Sequence, residues 1–169
     1  ELHEESTEAF FCHMPGIKVV VPSGPSMAKG LLASAIRDPD PVVFLEPTRL
    51  YRLVKEEVPD GDYTIPIGQA RIVREGSAVT AIAWGSMLER TVRALEDFDA
   101  EIIDLLTLSP FDSETILRSV DKTGRVVIVH EAPRTCGFGA ELAATIAEES
   151  ILSLRGPVLR VTGPDVPVP

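Results

Sequence analysis

An α/β fold built on a mostly parallel sheet is the class this sequence predicts, and three observations predict it. Short runs of β-branched and aliphatic residues alternate with stretches of helical spacing, the runs are apolar at nearly every position, and glycine or proline follows most of them. Strands apolar on both faces belong to covered sheets. Strands separated by helices are joined by crossover connections, which make their neighbours parallel.

The first run, residues 17–21, is closed by Pro22-Ser23-Gly24 and predicts a buried strand. A helix follows, with Ser23 or Ser26 as cap candidates, Pro25 at an early position, and Ala28, Leu31, Leu32, Ala35 and Ile36 at helical spacing. Asp38-Pro39-Asp40-Pro41 stops it, because each proline drives its predecessor out of the α region and has no amide hydrogen to give. Residues 42–45 form a second buried strand. Residues 46–67 carry prolines, charges and a Pro59-Asp60-Gly61-Asp62 turn without a sustained period, which predicts a linker. The alternation then resumes, with strands over 70–73 and 79–83, a helix over 86–98 and a strand over 101–106. A helix over 113–120 ending at Gly124, a strand over 126–130, a helix over 139–154 and a last strand over 158–161 complete the series. The second block is a self-contained α/β domain, whereas the first has too few strands to close a core by itself.

The charge balance narrows the function classes. Twenty-six acidic against sixteen basic residues give a net charge of −10 in a chain of 169, the wrong sign for displacing counterions from a phosphate backbone, so nucleic acid is excluded as a partner. No apolar run approaches the roughly 20 residues that span a bilayer, so no membrane partner is expected either. Two cysteines, Cys12 and Cys136, are too few for a disulfide framework, and with no targeting sequence this predicts a cytoplasmic, reducing location. The chain opens on Glu1-Leu2-His3-Glu4-Glu5 and closes on Val168-Pro169, which predicts a piece of a longer protein.

In a parallel α/β sheet the chemistry is sought beyond the carboxyl ends of the strands. Gly137 and Gly139 precede a helix and resemble the start of a dinucleotide fingerprint, but Leu142 stands where a third glycine belongs, and tight packing uses glycine equally well. Cys136, at the same helix start, is either an activated thiol or a small buried apolar residue. Cys12 and His13 are adjacent in sequence and would point apart in an extended segment. His130 with Glu131 reads as an acid-base pair or as a hydrogen-bonded strand-end histidine. At the helix end near residue 37, Asp38 and Asp40 add negative charge where the helix dipole is already negative; a monovalent cation on carbonyl oxygens near Ala35, Asp38 and Asp40 resolves this, as does solvation. His3, followed by Glu4 and Glu5, is the histidine outside apolar sequence, and carboxylates beside it stabilise its protonated form, which suits general acid work.

These segments together resemble a known family. His3 with Ser6-Thr7-Glu8-Ala9, Pro15-Gly16-Ile17-Lys18-Val19-Val20, Ala28-Lys29-Gly30-Leu31-Leu32, Ala35-Ile36-Arg37-Asp38 and Phe44-Leu45-Glu46-Pro47 are followed in order by Ile103-Asp104-Leu105, Thr107-Leu108-Ser109-Pro110, Lys122-Thr123-Gly124-Arg125, His130-Glu131-Ala132-Pro133 and Gly137-Phe138-Gly139-Ala140-Glu141. In this register the chain is similar to the beta subunits of thiamine-diphosphate-dependent 2-oxoacid dehydrogenases of the pyruvate or branched-chain type. The resemblance implies a fold: the second half of a pyrimidine-binding thiamine-enzyme domain over residues 1–48, a linker over 49–67, and a transketolase C-terminal-like α/β domain over 68–169. It also implies oxidative decarboxylation of a 2-oxoacid with transfer of the acyl group to a lipoyl acyltransferase. Thiamine diphosphate with Mg would be shared with an alpha subunit in an alpha2-beta2 heterotetramer, and the glutamate that activates the cofactor would lie upstream of Glu1.

His3 matches the family's channel histidine, which implies a catalytic proton donor to the lipoyl sulfur. Glu4 and Glu5 depart from the family's usual Ser-Gln at the next two positions. Ala35, Asp38 and Asp40 match positions whose backbone oxygens bind potassium in related subunits. Gly137 and Gly139 fall where the family packs at subunit contacts, and Cys136, where the family often has glycine, is assigned a structural role. Competing expectations are a single-chain transketolase or deoxyxylulose-phosphate synthase and a non-catalytic α/β interaction module.

Overall fold

The computed structural model of the chain describes residues 6–166. The first block contains helix α1 (Glu8–Cys12), strand β1 (Lys18–Val20), helix α2 (Pro25–Arg37) and strand β2 (Val42–Phe44), followed by a short helix α3 (Leu50–Leu53). The second contains β3 (Arg71–Arg74), β4 (Val79–Ala83), α4 (Met87–Ala94), β5 (Ala100–Asp104), β6 (Thr107–Ser109), α5 (Ser113–Thr123), β7 (Val126–Pro133), α6 (Gly139–Ser150) and β8 (Leu159–Gly163). Its main sheet has the order β3-β5-β4-β7-β8. β4 pairs in parallel with β5 and β7, and β7 with β8, whereas β3 lies antiparallel on the edge. The predicted α/β class with a mostly parallel sheet is what is found.

A second sheet, ordered β2-β1-β6, joins the two blocks. β1 and β2 are parallel, as expected of strands flanking α2, but β6 comes from the second block and runs antiparallel to β1. The sequence predicts one strand through 101–106; the structure instead ends β5 at Asp104, turns at Leu106 with φ of +55°, and starts β6 at Thr107. A left-handed leucine in the middle of an apolar run cannot be seen in the pattern. The break lets β6 pair with β1 of the first block. The main core is accordingly shared, with Val19 and Val21 packed among Ile82, Trp84, Leu105, Leu108 and Ile128.

The predicted linker is tied down along α2. Ile65 N–H donates to Gly30 O at 3.1 Å, Tyr63 Oη–H donates to Ser26 O at 2.8 Å, and Lys29 Nζ donates to Pro59 O at 2.6 Å. A Cβ on Gly30 would come within 2.8 Å of the Tyr63 ring and 2.7 Å of Ile65, so the glycine in α2 lets this strap lie flat. The helix predicted over 86–98 is shorter, and the one over 139–154 ends at Ser150, while α5 runs three residues further than predicted to Thr123. Gly124 closes α5 with φ of +68°, the left-handed stop that its glycine anticipates. Among the described residues no helix is long and apolar enough to cross a membrane.

Candidate functional site

The carboxyl ends of β4, β5 and β7 face the first block, and the side chains there were mostly missed by sequence reasoning. Trp84 directly follows β4 and is buried. Its indole stacks on the ring of His130 with centroids 5.2 Å apart and an angle of 11°, and meets Phe138 edge-on at 5.9 Å. Across the block boundary, Trp84 Nε1–H donates to Oε1 of Glu8, the first residue of α1, at 3.3 Å. Glu8 is itself buried, and burial pushes its carboxyl up from the ordinary glutamate range, with the Glu131 charge adding to the effect.

His130 is not the hydrogen-bonded strand-end histidine that the sequence suggests. Neither ring nitrogen has a partner among the described residues, and burial, helped by the Arg160 charge, pushes its pKa down to about 4, so the ring is neutral near pH 7. Its neighbour Glu131 lies on the opposite face of β7, as strand alternation requires, and accepts a hydrogen bond from Ser86 Oγ. The acid-base pair is therefore not formed. The same ring explains the two glycines. A Cβ on Gly139 would lie 2.7 Å from His130 Cδ2 and Nε2, and one on Gly137 would lie 2.8 Å from its Cε1. They admit an imidazole rather than a phosphate, which removes the dinucleotide reading.

The two cysteines differ. Cys12 is half-buried, and burial together with the Glu8 charge pushes its thiol up to about 12, so it stays protonated and is no nucleophile. Cys136 is exposed rather than buried, and its φ of +55° is the left-handed geometry that glycine takes most readily. Beside these residues opens a cleft of about 600 Å³, bordered by Cys12, His13, Ser109, Phe111, Cys136 and Glu141.

Asp104 is the second buried carboxylate of this edge. Its Oδ2 accepts from Ser23 Oγ, in the β1–α2 connection, and from Arg71 Nη2 at 3.1 Å, while Oδ1 has no partner among the described residues. Burial dominates these contacts and raises its pKa to about 6. A carboxylate inside Ile102-Ile103-Asp104-Leu105 was the available signal, because an acid in a buried strand needs a partner.

Of the predicted site residues, His3 lies outside the described residues. Ala35 belongs to the last turns of α2, and Asp38 and Asp40 follow it. Lys18 Nζ sits 2.7 Å from Asp38 Oδ1 and 3.1 Å from Asp40 Oδ2, so an ammonium already answers the two carboxylates. Hydrogen bonds from Lys18 and from the Asp40 amide hold the Asp38 carboxyl below its usual range. The uncompensated aspartate charge therefore no longer calls for a metal. Among the described residues no three His, Cys, Asp or Glu side chains converge as metal ligands.

Comparison with known proteins completes the picture. Residues 68–169 match the family described as "Transketolase, C-terminal domain". The chain belongs to that family. Residues 1–54 match the transketolase pyrimidine-binding domain, so this transketolase-type chain joins parts of two domains in the order that the resemblance implies. It is 55% identical over 172 residues to the Arabidopsis thaliana "2-oxoisovalerate dehydrogenase subunit beta 2, mitochondrial", covering 99% of this chain and 48% of that protein. It is 48% identical over 174 residues to the Bacillus subtilis "Pyruvate dehydrogenase E1 component subunit beta", covering 100% and 54%. A solved structure described as "Split gene transketolase, inactive beta4 tetramer" superposes with a TM-score of 0.79 at 27% identity over 94% of this chain and 52% of its own. The chain thus spans about half the length of the curated relatives it matches, and the resemblance read from the sequence is borne out.

Proposed function

We propose that this chain is part of the beta subunit of a 2-oxoacid dehydrogenase decarboxylating component, acting on pyruvate or a branched-chain 2-oxoacid. The observation that carries the reading is the identity of 47–55% over essentially the whole chain to proteins named as pyruvate or 2-oxoisovalerate dehydrogenase beta subunits. That favours the dehydrogenase over a single-chain transketolase or a non-catalytic module. Bound to such an enzyme, thiamine diphosphate with Mg would supply the carbanion-stabilising chemistry. In the described residues the carboxyl edge of the main sheet is filled by Trp84, His130 and Phe138, and Asp104 is engaged by Ser23 and Arg71.

In this proposal the alpha subunit supplies the rest of the cofactor pocket within an alpha2-beta2 heterotetramer, a lipoyl acyltransferase accepts the acyl group, and His3 delivers the proton to the lipoyl sulfur. The cytoplasmic location remains part of the same reading. Purified alone, the complete beta subunit should decarboxylate neither pyruvate nor 2-oxoisovalerate, and activity should appear when an alpha subunit is added. Turnover without an alpha subunit would sink the assignment. For potassium on the backbone oxygens of Ala35, Asp38 and Asp40, thermal stability should rise in KCl and not in LiCl at equal ionic strength; equal melting temperatures refute that site.

A further inference from the structure

We propose that Glu8 is a positioning residue, which holds the start of α1 on the carboxyl edge of the main sheet by accepting the indole hydrogen of Trp84. Three features point to it. Glu8 is a carboxyl-bearing residue 5% exposed at the first position of α1, and the hydrogen bond it accepts comes from a side chain 76 residues away in the other block. Trp84 cannot drift, because it is stacked on His130 and abutted by Phe138. His130 is itself seated against Gly137 and Gly139 at the start of α6. The chain Glu8, Trp84, His130, Gly139 thus ties α1 to β4, β7 and α6. The core below α1 gives it apolar purchase through Phe11 and Cys12, but non-directional contacts set depth rather than orientation. The polar contact between Glu8 and Trp84 sets the orientation.

The consequence rests on the functional reading given above. Glu8 stands five residues after His3 in the sequence, and with His3 as the proton donor of that reading, loss of an anchor this near it should cost a large factor in rate. Glu8→Gln keeps a carbonyl oxygen to accept from the indole, whereas Glu8→Ala removes it.

The test uses the complete beta subunit assembled with its alpha subunit. Glu8→Ala should slow acylation of a lipoyl domain by about tenfold or more in kcat with little change in KM for the oxoacid. Decarboxylation measured with ferricyanide as electron acceptor should change less than twofold, and Glu8→Gln should restore acylation to within about threefold of the parent. Equal loss in both half-reactions, no loss, or failure of glutamine to rescue each overturns the positioning role. A second readout does not depend on the reaction. Trp84 is the sole tryptophan of the 169-residue chain, and subtracting the emission of a Trp84→Phe enzyme isolates its signal from the rest of the assembly; that signal should shift to longer wavelength in Glu8→Ala and stay at the parent value in Glu8→Gln. Unchanged emission in Glu8→Ala overturns the contact itself. An unmodified enzyme that fails to acylate lipoyl while the emission shift occurs would refute the functional reading and leave the docking of α1 by Glu8 intact.

Discussion

Asp104 destabilises the fold in its charged form. Buried without exposure at the end of β5, with its pKa raised to about 6, it binds its proton more tightly in the folded than in the unfolded chain. An aspartate in the unfolded chain titrates near 3.9, so stability falls as pH rises from about 4 to about 6 and stays at the lower level above that. Asp104→Asn should abolish this slope. The shift of roughly two units bounds the gain near pH 7 at about 3 kcal/mol, and the lost attraction to Arg71 reduces it. Urea denaturation at pH 4.5 and pH 7 checks the point, since a variant whose difference between the two pH values equals the parent's would clear Asp104 as the source. This residue stands out in the sequence as an acid within an apolar run. Glu8 and Trp84 do not, because their significance arises only when residues 76 positions apart meet.

Elements are legible in the sequence where the period is long and an end is marked. Helix α5 is an example: Gly124 follows it in the left-handed conformation, and the structure adds Asp112 as the residue that caps its start. Asp112 Oδ1 accepts from the Thr115 amide at 3.0 Å, and Oδ2 accepts from the Ala70 amide at 3.0 Å, so one carboxylate caps the helix and fastens the approach to β3. Burial would raise its pKa, but the two amides outweigh it and hold the carboxyl low. Its stabilising contribution is therefore present at neutral pH and is lost as pH falls through that depressed value. Asp112→Ala should cost about 1–2 kcal/mol, the usual loss of a helix cap, and thermal melting at pH 7 would show it. A change below the error of the measurement would mean that water replaces both bonds. What the pattern could not show were elements too short to carry a period. Helix α1 has five residues and β6 three, and each is held by contacts with the other block. The strap on α2 is similarly hidden, since its bonds to the backbone of Ser26 and Gly30 are announced by no residue type, and its side-chain pairs Arg37–Asp62 and Ser26–Glu56 join residues 25 and 30 positions apart. Tyr63→Phe deletes the bond to Ser26 O while keeping the ring, and should lower stability by about 1 kcal/mol without altering the fold. Equal denaturation midpoints for the two proteins would place the strap's hold elsewhere.

At the scale of the molecule, the two blocks are distinct in sequence and continuous in packing. β1 takes β6 as its partner, Val19 and Val21 enter the core with residues of β4 and β7, and Ser23 and Glu8 reach across to Asp104 and Trp84. Because small units with few strands are marginal by themselves, the first block gains its stability from this shared core. The pairing of β1 with β6 is not legible in the sequence, since two strands about 90 residues apart leave no local periodicity that links them. A shared core requires cooperative unfolding. Val19 has no exposed surface and touches the cluster that contains Trp84, so Val19→Ala should lower the stability of the whole chain by about 2 kcal/mol, through lost transfer energy and a small cavity. Denaturation followed by Trp84 emission, which reports the main sheet's carboxyl edge, and by far-UV ellipticity, which averages all helices, should give coincident curves in both proteins, displaced together in the variant. If the ellipticity curve of Val19→Ala moves ahead while the emission curve keeps the parent midpoint, the first block unfolds separately and the core is not shared energetically. Coincidence would mean that the docking of α1, the β1–β6 pairing and the buried Trp84–His130 stack stand or fall as one structure.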